Sequence, residues 1–344
     1  MSCVLTPLPG TPYPEGDEDE EIVGILMYHD VRDFLRLDRD ALKECPVTCV
    51  IIDELDERTE CWQSVAALLL SPMRAERASD VPPDWMAPGR PRVVLQTEAG
   101  AHWPIAGAWR VSPPHEETWW WSFHPNATIR QSYYLGPEWL DGSLFPPGRV
   151  PPARRSYSSR GLVAIFVSNC DSKWVQSRRG RFIVELAKHV PVASYGKCFH
   201  NADPDPEEAA LLEGMPWWES KWHLSSRHKF VLALENAEEP DYVTEKLFHA
   251  FVAGSVPVYG GAPNVEEYLP SRRSAIRVDD HPSPRDLAEY LLYLDAHDEV
   301  YQRYFDWWDE PLSPAMTALA AYSPRSAPCR LCQALAAGKV GVGI

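Results

Sequence analysis

Residues 230–270 read FVLALENAEEPDYVTEKLFHAFVAGSVPVYGGAPNVEEYLP. The opening run, Phe230 to Leu234, is apolar throughout and closed by Glu235-Asn236, as expected of a short strand buried on both faces. Such a strand delivers Glu235 and Asn236 to its carboxyl end. After a loop containing Pro240, Thr244-Glu245-Lys246 leads into Leu247, Phe248, Phe251 and Val252, whose spacing puts four apolar side chains on one helical face. Gly254 stops that helix. Ser255 to Tyr259 is a second short β-rich segment, ending in Gly260-Gly261. Strand, helix, strand is the unit of a parallel, doubly wound α/β sheet. Ligands of these sheets sit beyond the carboxyl ends of the strands, where helix amino termini offer free N–H groups and a positive dipole to anions. Tyr242 to Lys246 falls at that place, although charges at a helix start also describe an ordinary solvated cap.

The chain has 344 residues, a length that favours two domains over one. With 14 Trp and 14 Tyr it is globular, and 33 Pro imply long irregular connections. Lys and Arg number 33 against 49 Asp and Glu, a net charge of −16 that argues against general nucleic-acid or anionic-membrane binding. An anionic ligand therefore needs local cations. Arg178, Arg179 and Arg181 form the tightest internal basic cluster, and Lys246 stands alone among acids. The 8 Cys suggest an oxidising compartment. By order, Cys45 with Cys49, Cys170 with Cys198, and Cys329 with Cys332 are plausible pairs, leaving Cys3 and Cys61, but spacing does not set connectivity. Cys329-Arg-Leu-Cys332 lacks a second CxxC or HxxxH partner, so no metal site is expected. No apolar run approaches the roughly 20 residues that span a bilayer.

The central segment closely resembles the donor-binding motif of the α-1,3-fucosyltransferases, inverting enzymes that use GDP-fucose. The resemblance is carried by LALEN at 232–236, DYVTEKLF at 241–248, AGSVPV at 253–258 and GAPNVEEYLP at 261–270, the last most like plant and algal members that fucosylate the core of N-glycans. It continues in VSNC at 167–170, Arg179-Gly-Arg181-Phe182 and SYGKCFHN at 194–201, and returns in the CRLC pair at 329–332. It implies two Rossmann-like domains facing a cleft, the GT-B arrangement, with GDP-fucose as donor and no cofactor. It further implies a glycan or glycoprotein acceptor, and a Golgi location reached in eukaryotic relatives through an amino-terminal anchor helix that this sequence does not contain. The donor residues implied are Asn169, Arg179, Tyr195, Glu235, Asn236, Tyr242, Thr244, Glu245 and Lys246. Arg179 takes the diphosphate, a role that suits a planar, permanently charged fork.

Around this motif, residues 1–20 read as a disordered lead-in, 21–150 as the acceptor-side domain, 156–310 as the GDP-fucose domain and 311–344 as a tail carrying the CxxC. Strands are expected at 21–28, 47–52 and 92–96, helices at 31–42 and 62–70, and an interdomain linker at 137–155. Residues 201–213 read as an acidic loop and 217–228 as a polar aromatic connector.

Inversion needs one base to take the acceptor proton during a single displacement. Glu98, just past the strand at 92–96, is the expected base, with Glu116 and Glu117 as rivals. The Trp-rich stretch 103–121 offers faces for sugar stacking, and Trp119, Trp121 and His124 are the acceptor candidates, against the alternative that these Trp pack the core. Alternation should bury Trp120 and expose its neighbours, or the reverse. His124 and Asn126 stand where the family pattern carries charged residues. Antenna fucosylation of the Lewis type, and a lectin-like relative without turnover, therefore stay open beside core fucosylation.

Overall fold

The computed structural model of the chain describes residues 5–7, 23–28, 42–55, 65–70, 91–99, 118–134, 136–140, 161–170, 175 and 177–338. The chain divides into two compact units, Met1–Ser132 with Ala321–Ile344, and Tyr133–Ala320.

The first unit is built on strands β1 (Leu5–Pro7), β2 (Val23–Tyr28), β3 (Cys49–Leu55), β4 (Val65–Leu70), β5 (Arg92–Gln96), β6 (Thr118–Ser122) and β7 (Ile129–Arg130). They form one sheet in the order β1-β3-β2-β4-β5-β6-β7. All its pairings are parallel except β1 with β3. Leu5–Pro7 is thus a strand, which corrects the expectation of a disordered lead-in over residues 1–20. The helix expected at 62–70 is also corrected. Val65–Leu70 is a strand between β2 and β4's other neighbour β5, and a wholly apolar run of this length suits a strand covered on both faces as well as it suits a helix. The helix expected at 31–42 falls almost wholly outside the described residues. Ile25, Ile51, Leu69, Val93, Leu95, Trp119 and Trp121 make the core on one face of this sheet, and Ala327, Leu331 and Cys332 of the helix Ala327–Ala336 close it.

Two disulfides fix that helix to the sheet edge region, Cys45 to Cys329 and Cys49 to Cys332, with Cα–Cα separations of 5.5 and 6.0 Å. The pairing by order is therefore corrected. Cys329 and Cys332 lie on one face of their helix and reach across to Cys45, just before β3, and to Cys49 at its start, rather than to each other. Cys170 does pair with Cys198, at 5.3 Å. Cys3 and Cys61 lie outside the described residues.

The second unit carries β8 (Val163–Ile165), β9 (Val192–Ser194), β10 (Phe230–Leu234), β11 (Val256–Gly260) and β12 (Ile276–Arg277) in the order β12-β11-β10-β8-β9, all parallel. Every residue of β10 is buried. Its side chains alternate as the strand period requires. Phe230, Leu232 and Leu234 pack with Ile183 and Leu186 of the helix Arg179–Leu186 and with Leu287, Leu291 and Leu294 of the helix Pro284–Ala296. On the opposite face Ala233 packs with Leu247, Phe248, Phe251 and Val252 of the helix Glu245–Ala253. That helix begins at Thr244, whose hydroxyl caps it, and ends at Gly254 in the left-handed region with φ 64°.

Three further expectations are corrected in this unit. Pro206–Leu212 is a helix, opened by Asp205 and Glu208 in a reciprocal capping box with Pro206 at the first turn. Trp217–Ser225 is a helix, packed on 245–253 through Trp222. The expected linker begins inside the unit, for Pro137–Trp139 is a 3-10 turn whose Trp139 is buried against Trp222, Phe248 and His249. Residues 311–344 are not a single tail either, since Pro314–Leu319 packs in the second unit while Ala327–Ala336 belongs to the first.

Candidate donor-binding site

The carboxyl end of β10 places Glu235 at the base of the site. Its backbone N–H donates to the Gly260 carbonyl at 2.8 Å, which continues the ladder with β11 one residue past the strand. Its carboxylate is fully buried. It accepts from the Thr244 backbone N–H at 2.8 Å, from the Thr244 hydroxyl at 2.8 and 3.0 Å, and from Lys246 Nζ at 2.9 Å. Lys246 Nζ also reaches Thr244 Oγ1 at 2.8 Å and lies 3.8 Å from Glu245 Oε1. One strand end and one helix start are thereby held together by a carboxylate, a hydroxyl and an ammonium. Gly261 makes room for it, because a Cβ there would stand 2.5 Å from Glu235 Cγ and 2.8 Å from the Tyr259 hydroxyl.

The electrostatics follow from burial in a low-dielectric place. Burial pushes the Glu235 carboxyl up, and Lys246 pulls it only part of the way back. Glu245, half-exposed at the first turn of its helix, experiences the same upward push but is held down at about 2 by Lys246 and Lys221. Lys221, buried on the 217–225 helix, has its ammonium pulled down to about 8 by desolvation.

Arg179 is buried, unlike its exposed neighbours Arg178 and Arg181. Its Nη1 donates to the Leu234 carbonyl at 3.2 Å and its Nη2 to the Asn169 carbonyl at 3.0 Å, so it ties the end of β10 to the loop after β8. The Asn169 side chain itself is exposed. Ser177, a residue the sequence reading passed over, donates from its hydroxyl to the Glu235 carbonyl at 2.7 Å and from its N–H to the Asn236 carbonyl at 2.9 Å. The Tyr242 hydroxyl donates to Asn236 Oδ1 at 2.9 Å. Asp241 takes φ 65°, and its carboxylate accepts from Asn264 Nδ2 at 3.1 Å and from the Tyr268 hydroxyl at 2.8 Å. The loop entering the helix is therefore fixed before any ligand arrives. Tyr195, just past β9, hydrogen-bonds His228 Nε2 at 3.0 Å and stacks on Phe166 at 5.2 Å. His228 Nδ1 faces the Gly161 carbonyl at 2.9 Å, so the buried imidazole donates there and accepts from tyrosine. Phe166 and Lys221 carry no motif, and only the fold brings them together at the sheet's carboxyl end, whereas His228 precedes β10 and anchors Tyr195 from the amino end.

Among the described residues no group of three or more His, Cys, Asp or Glu could hold a metal ion. A separate cavity of about 450 Å³, lined by Arg273, Arg277, His281, Tyr290 and Arg303, flanks edge strand β12 and includes none of the residues above.

Residues 157–340, more than half of the chain, match the family model described as glycosyltransferase family 10 (fucosyltransferase), C-terminal. The chain belongs to glycosyltransferase family 10. Alpha-(1,3)-fucosyltransferase 4 of Pan troglodytes is 32% identical over 330 residues, 92% of this chain and 53% of that protein. GDP-fucose protein O-fucosyltransferase 3 of Xenopus laevis is 42% identical over 146 residues, 42% of this chain and 30% of that protein. The chain therefore spans between about a third and about half the length of these relatives. Among solved structures, an alpha1,3-fucosyltransferase with GDP superposes with a TM-score of 0.60 at 14% identity, covering 96% of this chain and 95% of the other. The shared fold is thus the GT-B type expected, with two Rossmann-like α/β units.

The remaining site residues lie in the other unit. Glu98 follows β5 as expected, half-buried, with its carbonyl accepting from Gln96 Nε2 at 3.5 Å. Trp119 and Trp121 are corrected as sugar platforms, since both are core residues, 3% and 1% exposed, and Trp121 Nε1 donates to Gln131 Oε1 at 2.6 Å. The alternation resolves to Trp120 as the half-exposed member of the three. His124 is half-exposed and stacked on Phe123 at 4.6 Å. Glu116 and Glu117 lie outside the described residues.

Proposed function

We propose that this chain transfers L-fucose from GDP-fucose, with inversion, to a GlcNAc hydroxyl of an N-glycoprotein in α-1,3 linkage. The observation that carries the donor half is the Glu235–Thr244–Lys246 constellation at the start of the 245–253 helix, beyond the carboxyl end of β10. An anion there meets the positive end of the helix dipole and a lysine ammonium already oriented by a buried carboxylate. Arg179, Asn169, Tyr195, Asn236, Tyr242 and Glu245 complete the donor set in this reading. The acceptor oxygen attacks the anomeric carbon, the bond to the diphosphate breaks with its electron pair leaving on GDP, and Glu98 takes the acceptor proton. Lys246 and the helix dipole meet the charge that develops on GDP. Cys45–Cys329, Cys49–Cys332 and Cys170–Cys198 support residence in an oxidising compartment, the Golgi in this proposal.

A second reading, transfer to a protein hydroxyl, is favoured by the 42% identity to a protein O-fucosyltransferase, which is higher than the full-length match to the α-1,3 enzyme. GDP release from GDP-fucose decides between them when followed with a GlcNAc-exposing N-glycan, with a folded protein acceptor free of glycan, and with neither. Release only with the N-glycan supports the main reading, release only with the protein supports the second, and no acceptor-dependent release leaves a lectin-like relative.

A further inference from the structure

Lys221 stands out among the buried cations of the second unit. Lys229, the nearest comparison, is held at 2.8 Å by Asp295 and at 3.1 Å by Asp298. Lys221 is just as hidden, 9% exposed, yet no hydrogen bond or ion pair among the described residues reaches its ammonium. Its Nζ instead stands 5.9 Å above the ring of Phe166, which is itself stacked on Tyr195. Its Nζ is not fully enclosed. An ammonium kept out of water without a carboxylate partner is costly unless something else supplies negative charge. Glu245 on the neighbouring helix acts on it without forming an ion pair, and Lys246 beside Glu245 acts against it. The charged groups facing Lys221 are Glu245 and Lys246 on the 245–253 helix and Glu235 beyond β10, and Glu235 is already engaged by Lys246.

We propose that Lys221 is a second ammonium contact for the donor diphosphate, so that the leaving group is gripped by two lysines from two helices, Lys221 and Lys246, with the Phe166–Tyr195 ring pair forming the adjoining wall. This rests on the GDP-fucose reading above. An ammonium so poorly solvated is readily lost to base, with its midpoint at about 8 in the ligand-free chain. Bound diphosphate favours the charged form, so binding takes up a proton and weakens as pH rises through that value.

Calorimetric titration of the full chain with GDP, from about pH 6.5 to about pH 9.5, tests this against two variants. Wild-type affinity should fall about tenfold between about pH 7 and about pH 9 as Lys221 deprotonates. Lys221→Arg should flatten that fall, because guanidinium stays charged throughout. Lys221→Met should bind about tenfold or more weaker at about pH 7, the size of a lost charge-assisted contact, and show no comparable fall. Comparing wild type with variants cancels the titration of GDP itself, and thermal melts report whether the Met variant is folded, with the Arg variant carrying the test if it is not. Lys221→Met binding GDP with wild-type affinity, or Lys221→Arg keeping the wild-type pH profile, overturns the inference while the donor reading stands. Absence of GDP binding by the wild type overturns both.

Discussion

In the proposed donor site Lys246 serves both the buried Glu235 and the diphosphate, and its replacement separates them. Lys246→Ala should weaken GDP binding by about 1.5–3 kcal/mol, the range for a hydrogen bond to a charged group. It should also destabilise the fold by about 3 kcal/mol, because Glu235 is left fully buried without its counter-ion. The sign of the pH effect follows from the direction of the Glu235 shift. A carboxyl whose folded pKa is raised above its unfolded value binds the proton more tightly when folded, so stability falls as pH rises through the folded value. Removing Lys246 takes away the main downward influence on Glu235, so the variant should melt lower at about pH 7 than at about pH 5, more so than the wild type. Adding Glu235→Gln should restore stability but not GDP affinity. Equal melting temperatures of Lys246→Ala and wild type at both pH values would refute the coupling. Gly261 belongs to the same constraint, since the space a Cβ would need is taken by Glu235.

Among the elements, the Ala327–Ala336 helix is the one whose place the sequence least reveals. It lies far along the chain from the sheet it covers, yet two disulfides with sequence separations of 284 and 283 fix it there. Closing a loop of that length once is worth about 5.6 kcal/mol in the chain-entropy limit, and the second bridge adds little because the loop is already closed. Cys329→Ser alone should therefore cost much less than Cys329→Ser with Cys332→Ser, a difference read from denaturant midpoints. Non-reducing peptide mapping should recover fragments joining 45 to 329 and 49 to 332. Fragments joining 45 to 49 would contradict this arrangement. The 245–253 helix is the opposite case, because its cap Thr244, its apolar stripe and its terminator Gly254 can all be read in order along the chain.

For the whole molecule, the proposed transfer takes Glu98 of the first unit as its base. Glu98 sits past a parallel strand at the carboxyl edge of that sheet, where a chemical role is most often found. Glu98→Gln should leave GDP affinity unchanged and lower turnover by about 10² to 10⁴, the range for losing a general base. Normal turnover in Glu98→Gln with a dead Glu116→Gln or Glu117→Gln would move the base to the Trp-rich stretch.

The sequence by itself determined what is local. An apolar run ended by Glu235-Asn236, a capped amphipathic helix and a second short strand specify a βαβ unit through strand and helix periodicity, and that unit locates most of the proposed donor residues. The fate of the Trp triplet was half legible, since alternation required opposite faces for Trp120 and its neighbours but could not say which face was core. What only the tertiary structure decided depends on contacts between residues distant in sequence. Residues 65–70 became a strand because parallel partners flank them on both sides. The cysteines of 45–49 and 329–332 crossed rather than closed on their neighbours because helix and sheet bring them face to face. Lys221 and Phe166 reached the donor end of the sheet by packing alone, and burial, which no motif encodes, makes that lysine's charge unusual.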